Sequence, residues 1–458
     1  MEDLLSRAVD YALTLGAKYA EARWQVDKGR FAVVRNGAVL RVGEWSTGGI
    51  SVRVVAGGLG FAIAKGASWE DVKAAVDSAY KAASASAKYR RRPIQFGEEK
   101  MARLKYEVPV KKPLEDLPQF LLGLDRVAQE RGVAVRSFSA SIWVTEKVVV
   151  NSDGALVESS MPRASLFAAL IARGPNASLQ RNVDVGGLGE AEALEEAPKV
   201  VAEEAAKVVS LAERARPVKP GLYDVVFSPE LAGIFVHESV GHPFELDRIM
   251  GREGAEAGES YMSLEDLGKR IASEHVTIID DPTIEAYGFY LVDEEGVPAR
   301  PRRLIDRGVA SEFLSNREYA AYVGRLSNAA ARASEFDKEP IPRMSNTYLA
   351  PGDWDPEEII RDTRRGIYVA SYTEWNIDDR REYGRYGILE GYVIEDGELK
   401  EPVLGFIEAE SRAFWSSVDA VGKDLKLYIG TCGKGNPSQG VPVTFGGPTF
   451  RARGIRVV

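Results

Sequence analysis

The sequence predicts an α+β protein: an N-terminal α/β layer with an internal helix-strands-helix duplication, followed by a β-rich C-terminal domain. Three observations carry this reading. A helical segment, alternating strand segments and a second helix occur in that order twice within residues 1–216. The run Arg216-Pro217-Val218-Lys219-Pro220-Gly221 cannot continue a helix, which divides the chain into 1–216 and 217–458. Beyond it, short strands and turns dominate.

The first unit opens with helical periodicity over residues 2–22, where Leu4, Leu5, Ala8, Tyr11, Ala12 and Leu15 share a face. Alternating segments follow at Phe31–Val34, Ala38–Val42 and Gly49–Val55, and Asn36-Gly37 is a two-residue hairpin signal. Gly57-Gly58-Leu59-Gly60 lies between strands and reads as a tight hairpin, not a phosphate loop. A helix from Trp69 to about Ala83 closes the unit, with Ser68 as N-cap. The second unit repeats the order with a helix over 115–130, strands over 133–150, 154–160 and 164–173, and a helix over 189–213. The turn Asn151-Ser152-Asp153-Gly154 takes the place of Asn36-Gly37.

In the second half, strands are expected at Tyr223–Phe227, Val276–Ile279, Phe289–Val292, Gly366–Val369, Gly391–Ile394 and Leu425–Ile429. Short helices are expected near 263–272, 316–325 and 356–364. The helix that matters opens at Ser228-Pro229-Glu230, with Ser as N-cap and Pro at the first helical position.

Composition narrows the function classes. A net charge of −9 opposes binding that relies on neutralising nucleic-acid phosphates. The basic run Tyr89-Arg90-Arg91-Arg92-Pro93 reads as a solvated linker. A single cysteine rules out an intrachain disulfide framework and fits a reducing, cytoplasmic setting. No apolar run approaches the ~20 residues that span a bilayer, and the acidic N-terminus has no secretory pattern. Asn176-Ala177-Ser178 therefore reads as a turn and not as a glycosylation site.

Two of the three histidines lie in one hexapeptide, His237-Glu238-Ser239-Val240-Gly241-His242. A spacing of five places them ~140° apart around an ideal helix, so they cannot reach one ion from a regular helix. Gly241 is conformationally free and His242 precedes Pro243, so the helix is expected to distort or end at Val240–Gly241. Glu238, on an otherwise apolar helix, suits a general base facing a zinc-bound water. Cys432, in Gly430-Thr431-Cys432-Gly433-Lys434-Gly435-Asn436-Pro437, is the leading third ligand. Two histidines, a thiolate and one open position make an acceptable catalytic zinc set. His275 is the rival third ligand, and Cys432 taken alone also reads as a small buried apolar residue. The Gly251–Gly258 stretch reads as a lid or as an ordinary loop. Arg343 and Asp424 are candidates to orient substrate or ligands, or to form structural ion pairs.

These residues, with Glu245 and Asp247 after the second histidine, resemble the TldD/PmbA family, named as modulators of DNA gyrase and described as zinc metallopeptidases. The resemblance continues through Val276–Thr283, Asp293–Pro298, Pro342–Tyr348, Val421–Leu427 and Cys432-Gly433-Lys434. It covers nearly all of the second half, and the N-terminal hairpin pattern is similar to the family's first domain. Because the His-Glu-His motif is present, the chain is similar to the catalytic, TldD-like branch. The resemblance implies His237, His242 and Cys432 as zinc ligands and Glu238 as acid/base. It also implies hydrolysis of small or unfolded polypeptides threaded between the subunits of a homodimer, or of a heterodimer with a paralogue. The rival functions are a zinc amidase acting on a non-peptide amide and a regulatory scaffold with structural zinc. Two departures stand out: Pro243 where relatives often carry glycine, and Ile377–Glu382, which lacks the expected glycine.

Overall fold

A computed structural model describes residues 1–90, 94–175, 178–253 and 259–458. Parts of three sequence features therefore lie outside the described residues: Arg91–Pro93 of the basic run, Asn176 and Ala177 of the triplet, and residues 254–258 of the candidate lid. The fold is the expected mixture of helix and strand, built on three large sheets. Among the described residues no helix is long and apolar enough to cross a membrane.

The two N-terminal repeats share one seven-stranded sheet. Tyr19–Arg35 and Ala38–Ala56 form the first hairpin across Asn36-Gly37, with Arg35 opposite Ala38. Gly58–Ala64 folds back on the second of these strands. Val135–Asn151 and Leu156–Arg173 form the second hairpin, and the repeats join where Tyr19–Arg35 runs antiparallel to Val135–Asn151. Alternation along Tyr19–Arg35 then decides the layering. Ala20, Ala22, Ala32 and Val34 face the helices Glu2–Thr14, Trp69–Ser86, Leu117–Glu130 and Ala197–Arg214. Glu21, Arg23, Gln25 and Asp27 point the other way yet are equally buried, because the C-terminal half covers that face. Arg23 donates to Glu294 at 3.0 Å, and Arg53 bridges Glu21 at 2.8 Å and Glu295 at 2.5 Å.

Several expected boundaries move. The first helix stops at Thr14, since Gly16 turns the chain with φ of +100°, and strand begins at Tyr19 within the expected helix. The segments 154–160 and 164–173 are one strand. Pro162, which has no N–H to donate, sits at the seam where the outer partner changes from Arg103–Glu107 to Ser178–Leu188. Those two outer strands were not foreseen, and the helix expected over 189–213 is Ala197–Arg214. Arg90, from the basic run, donates to Glu318 at 2.9 Å and to Tyr322 at 2.7 Å, which is a structural tie and not a free linker charge.

The C-terminal half holds two further sheets. One has six strands and ends with Asn346–Leu349, Gln439–Gly447 and, at its edge, Lys426–Lys434. The other has seven and includes Gly221–Phe227, Arg365–Ile377, Tyr383–Glu395 and Glu398–Glu410. Phe289–Val292 is not a strand, and 263–272 contains only the short turn Leu264–Asp266. The helix Pro229–Val236 is buried along its whole length between these sheets. Phe235 stacks on Tyr386 and Phe414, while Phe227 stacks on Phe450. This packing fixes the direction in which the next turn of the chain points.

Candidate metal centre

The helix begins as expected, with Ser228 Oγ accepting from the Leu231 N–H at 3.4 Å. It then does not break. His237–Gly241 continues as a π-turn in which the His242 N–H donates to the His237 carbonyl, and His242 keeps helical angles of φ −61° and ψ −45°. Of the two expected outcomes at Val240–Gly241, the helix distorts, as a widened turn, and does not end; a break at Gly241 is not needed. An i→i+5 turn adds one residue to the ring, so positions five apart acquire the alignment that positions four apart have in an α-helix. Side chains support the widened turn: Ser239 Oγ donates to the Phe235 carbonyl at 2.5 Å, and the Tyr261 hydroxyl donates to the Ser239 carbonyl at 2.7 Å. Trp415 Nε1 donates to Ser239 Oγ at 2.8 Å.

Gly241 is required for space, not for backbone freedom. Its φ is −51°, and a Cβ there would lie 1.9 Å from Met344 Sδ in the core. Gly241→Ala is expected to lower stability by about 1–3 kcal/mol through overpacking. Urea denaturation of the two proteins checks this, and an unchanged midpoint would show that Met344 repacks freely.

The turn brings His237 and His242 to Cys432, and one donor atom from each of the three lies within 4.8 Å of the others. Cys432 Sγ is 3.3 Å from His242 Nε2, and the two imidazole rings meet edge to face. Cys432 is held in the edge strand Lys426–Lys434, not in a loose loop, and Arg343 ties that strand to the neighbouring Gln439–Gly447 by donating to the Cys432 and Gln439 carbonyls. All three candidate ligands are buried. Burial pushes the Cys432 thiol up, but the charges of His242, Arg343 and His237 outweigh it and hold the thiol well below its ordinary range. The thiolate is the metal-binding form. His237 Nδ1 is buried and has no hydrogen-bond partner. Two imidazoles and a thiolate, one imidazole with an orphaned buried nitrogen, fit a divalent ion of intermediate softness. His275 is exposed and stands apart. Asp424 accepts from Thr449 in a turn and does not join the cluster.

Outside the donors lies a charge cluster that the motif did not reveal. His242 Nδ1–H donates to Glu245 Oε2 at 3.0 Å, which leaves Nε2 directed at Cys432. Glu245 also meets Lys434 at 3.1 Å and Arg248 at 3.3 Å, and Lys434 pairs with Asp247 at 2.7 Å. Burial pushes the Glu245 carboxyl up, yet Lys434, His242 and Arg248 together hold it well below the carboxylate range. The sequence signal for Lys434 is weak but real: two residues after Cys432 on a strand, it shares the buried face.

Glu238 is buried beside His237, and its Oε2 is ion-paired to Arg381, from the turn between Arg365–Ile377 and Tyr383–Glu395. Both residues line a cavity of about 570 Å3 together with His237, His242 and Cys432. Asp184 of the edge strand Ser178–Leu188 and residues 429–433 of the edge strand Lys426–Lys434 line the same cavity. Ser141, Ser165, Tyr287 and Thr431 also line a neighbouring cavity of about 330 Å3 between the two halves.

Comparison with known proteins agrees with this picture. The chain matches the PmbA/TldA metallopeptidase C-terminal domain over residues 220–458, the central domain of that family over 107–212 and its domain 1 over 20–83. It is 32% identical over 452 residues to a metalloprotease of Methanothermobacter thermautotrophicus, covering 96% of this chain and 95% of that one. It is also 32% identical over 242 residues to a zinc metalloprotease TldD homolog of Saccharolobus solfataricus, covering 52% of each chain. The crystal structure of TldE from Thermococcus kodakarensis superposes with a TM-score of 0.76 at 18% identity, over 99% of this chain and 100% of that one, a likeness of fold.

Proposed function

We propose that this chain, which belongs to the PmbA/TldD metallopeptidase family, is a zinc-dependent peptidase that hydrolyses small or unfolded polypeptides. The observation that carries the proposal is the convergence of three zinc-type donors with a buried carboxylate from the same turn on one cavity. Three donors leave one position open, as a catalytic site needs and a closed structural site does not. His237, His242 and Cys432 would hold the zinc, which when bound supplies Lewis acidity toward the scissile carbonyl and an acidified water. Glu238 takes a proton from the attacking water and returns it to the leaving amine, so the C–N bond breaks with acid and amine as products. Glu245 holds the His242 ring in one tautomer and orientation. The edge of Lys426–Lys434, which pairs with no strand on its outer side among the described residues, can accept an extended peptide by strand addition, beside Cys432.

The test pairs metal analysis with mass-spectrometric digestion of a mixed unfolded-peptide pool. Wild type is expected to hold one zinc per chain and to cleave. Cys432→Ser is expected to weaken zinc binding by at least about a hundredfold, since even outer partners of metal ligands change affinity that much. Full zinc affinity in Cys432→Ser would remove Cys432 from the ligand set.

A further inference from the structure

One contact in the cavity is not used by this chemistry. Glu238 does not stand free: its Oε2 is held by Arg381 Nη1, and both side chains are largely buried, at 7% and 18% exposure. Arg381 is the only lysine or arginine lining the cavity among the described residues. Its Nε is buried and has no hydrogen-bond partner. The residue is not there by accident of a loose loop. Arg381 takes the left-handed conformation at φ of +62°, which a non-glycine residue adopts only when its surroundings enforce it. The enforcement is visible: Ser411 Oγ donates to the Arg381 carbonyl at 2.8 Å, and the Tyr261 N–H donates to the Arg380 carbonyl at 2.9 Å. Asp378 Oδ1 accepts from the Glu382 N–H at 2.7 Å and from the Tyr383 N–H at 3.1 Å. The turn thus aims a guanidinium at the carboxylate that the proposed reaction requires.

An arginine that grips one oxygen of a carboxylate opposes both its movement and its protonation, so exchange of that partner favours its action as a base. If a neutral peptide drew Glu238 away, it would leave a buried guanidinium without a counter-ion, and breaking such a pair from one side is strongly unfavourable. A carboxylate on the substrate removes that penalty, because it replaces Glu238 on the guanidinium in kind. The planar fork of an arginine suits a carboxylate better than it suits a carbonyl.

We propose that Arg381 is a specificity-determining residue that receives a carboxylate of the substrate and, by exchange, releases Glu238 for catalysis. This rests on the peptidase reading above. The favoured substrates are peptides that present a carboxylate near the scissile bond, from a free C-terminus or from an acidic side chain.

The test uses the zinc-loaded protein and peptides of one sequence as free acid and as C-terminal amide, each with and without an aspartate near the cleaved bond. Peptides offering a carboxylate are expected to show kcat/KM at least about tenfold above the fully neutral peptide, the scale of a hydrogen bond to a charged group. The position of the effective carboxylate separates the terminal source from the side-chain source. In Arg381→Gln that ratio should fall to about one, and in Arg381→Lys part of it should survive. Each ratio is internal to one protein, so a partly unfolded variant does not confuse it. Calorimetric binding supplies a second readout: in Glu238→Gln the charged competitor for Arg381 becomes a neutral and weaker acceptor, so the free-acid peptide should bind more tightly than to wild type while the amide does not. Equal cleavage and equal binding of acid and amide peptides would overturn the proposal. So would an Arg381→Gln variant that slows both alike, since that would place the guanidinium on the developing oxyanion instead. If wild type cleaves no peptide at all, the peptidase reading fails, and the binding comparison still decides the role of Arg381.

Discussion

Glu238→Gln is expected to lower kcat for peptide hydrolysis by about 10²- to 10⁴-fold, the usual contribution of a positioned acid/base. The substitution keeps the shape of the side chain and still offers Arg381 an acceptor, so the turn His237–Gly241 should survive it. Glu238 is not one of the three clustered donors, so zinc content should remain at the wild-type level. Loss of rate with metal retained separates this variant from Cys432→Ser, which should lose both. The measurement is turnover on a peptide found in the digestion experiment, with metal quantified in the same samples. Cleavage at the wild-type rate would show that another group moves the proton.

How much of this could be read from the chain alone differs from residue to residue. Ser228-Pro229 announced the helix start because capping is local chemistry, and the structure places the N-cap there. The five-residue spacing of His237 and His242 ruled out a regular helix, but it did not say which irregularity would follow. A break and a π-turn satisfy the same spacing, and the choice depends on Tyr261, Trp415 and Met344, whose contacts with the turn are set by tertiary packing. The alternation Glu21, Arg23, Gln25, Asp27 has the appearance of a solvated strand face. It is buried because its partners, Glu294 and Ser334 among them, lie some three hundred residues further along the chain. Arg381 was missed as a site residue for the same reason: its turn belongs to a different sheet from the strand that carries Cys432. Local signals located the metal motif, while long-range pairing located the residues that hold it in place.

That long-range support makes the second large prediction. Lys434 is fully buried, its ammonium group paired with Asp247 and Glu245 and bonded to the Pro342 carbonyl at 2.8 Å. Lys434→Met fills the same space but removes the charge, and losing one member of a buried ionic cluster costs about 3–5 kcal/mol. The loss should fall mainly on Asp247, because Glu245 keeps His242 and Arg248. Burial already holds the Asp247 carboxyl above its ordinary range, with Lys434 opposing that rise and Glu245 adding to it. Without Lys434 it rises further, so protonation relieves part of the damage. A group whose folded value is raised favours the folded state less as pH increases through that value, so the deficit should be larger at pH 8 than at pH 5. Urea denaturation at the two pH values measures it. Adding Asp247→Leu to Lys434→Met should recover much of the loss, since an apolar pair can replace a buried ion pair at little or no cost. A single variant as stable as wild type would mean that water reaches the cluster, and the Glu245–His242 contact would then not be what holds the His242 ring in place.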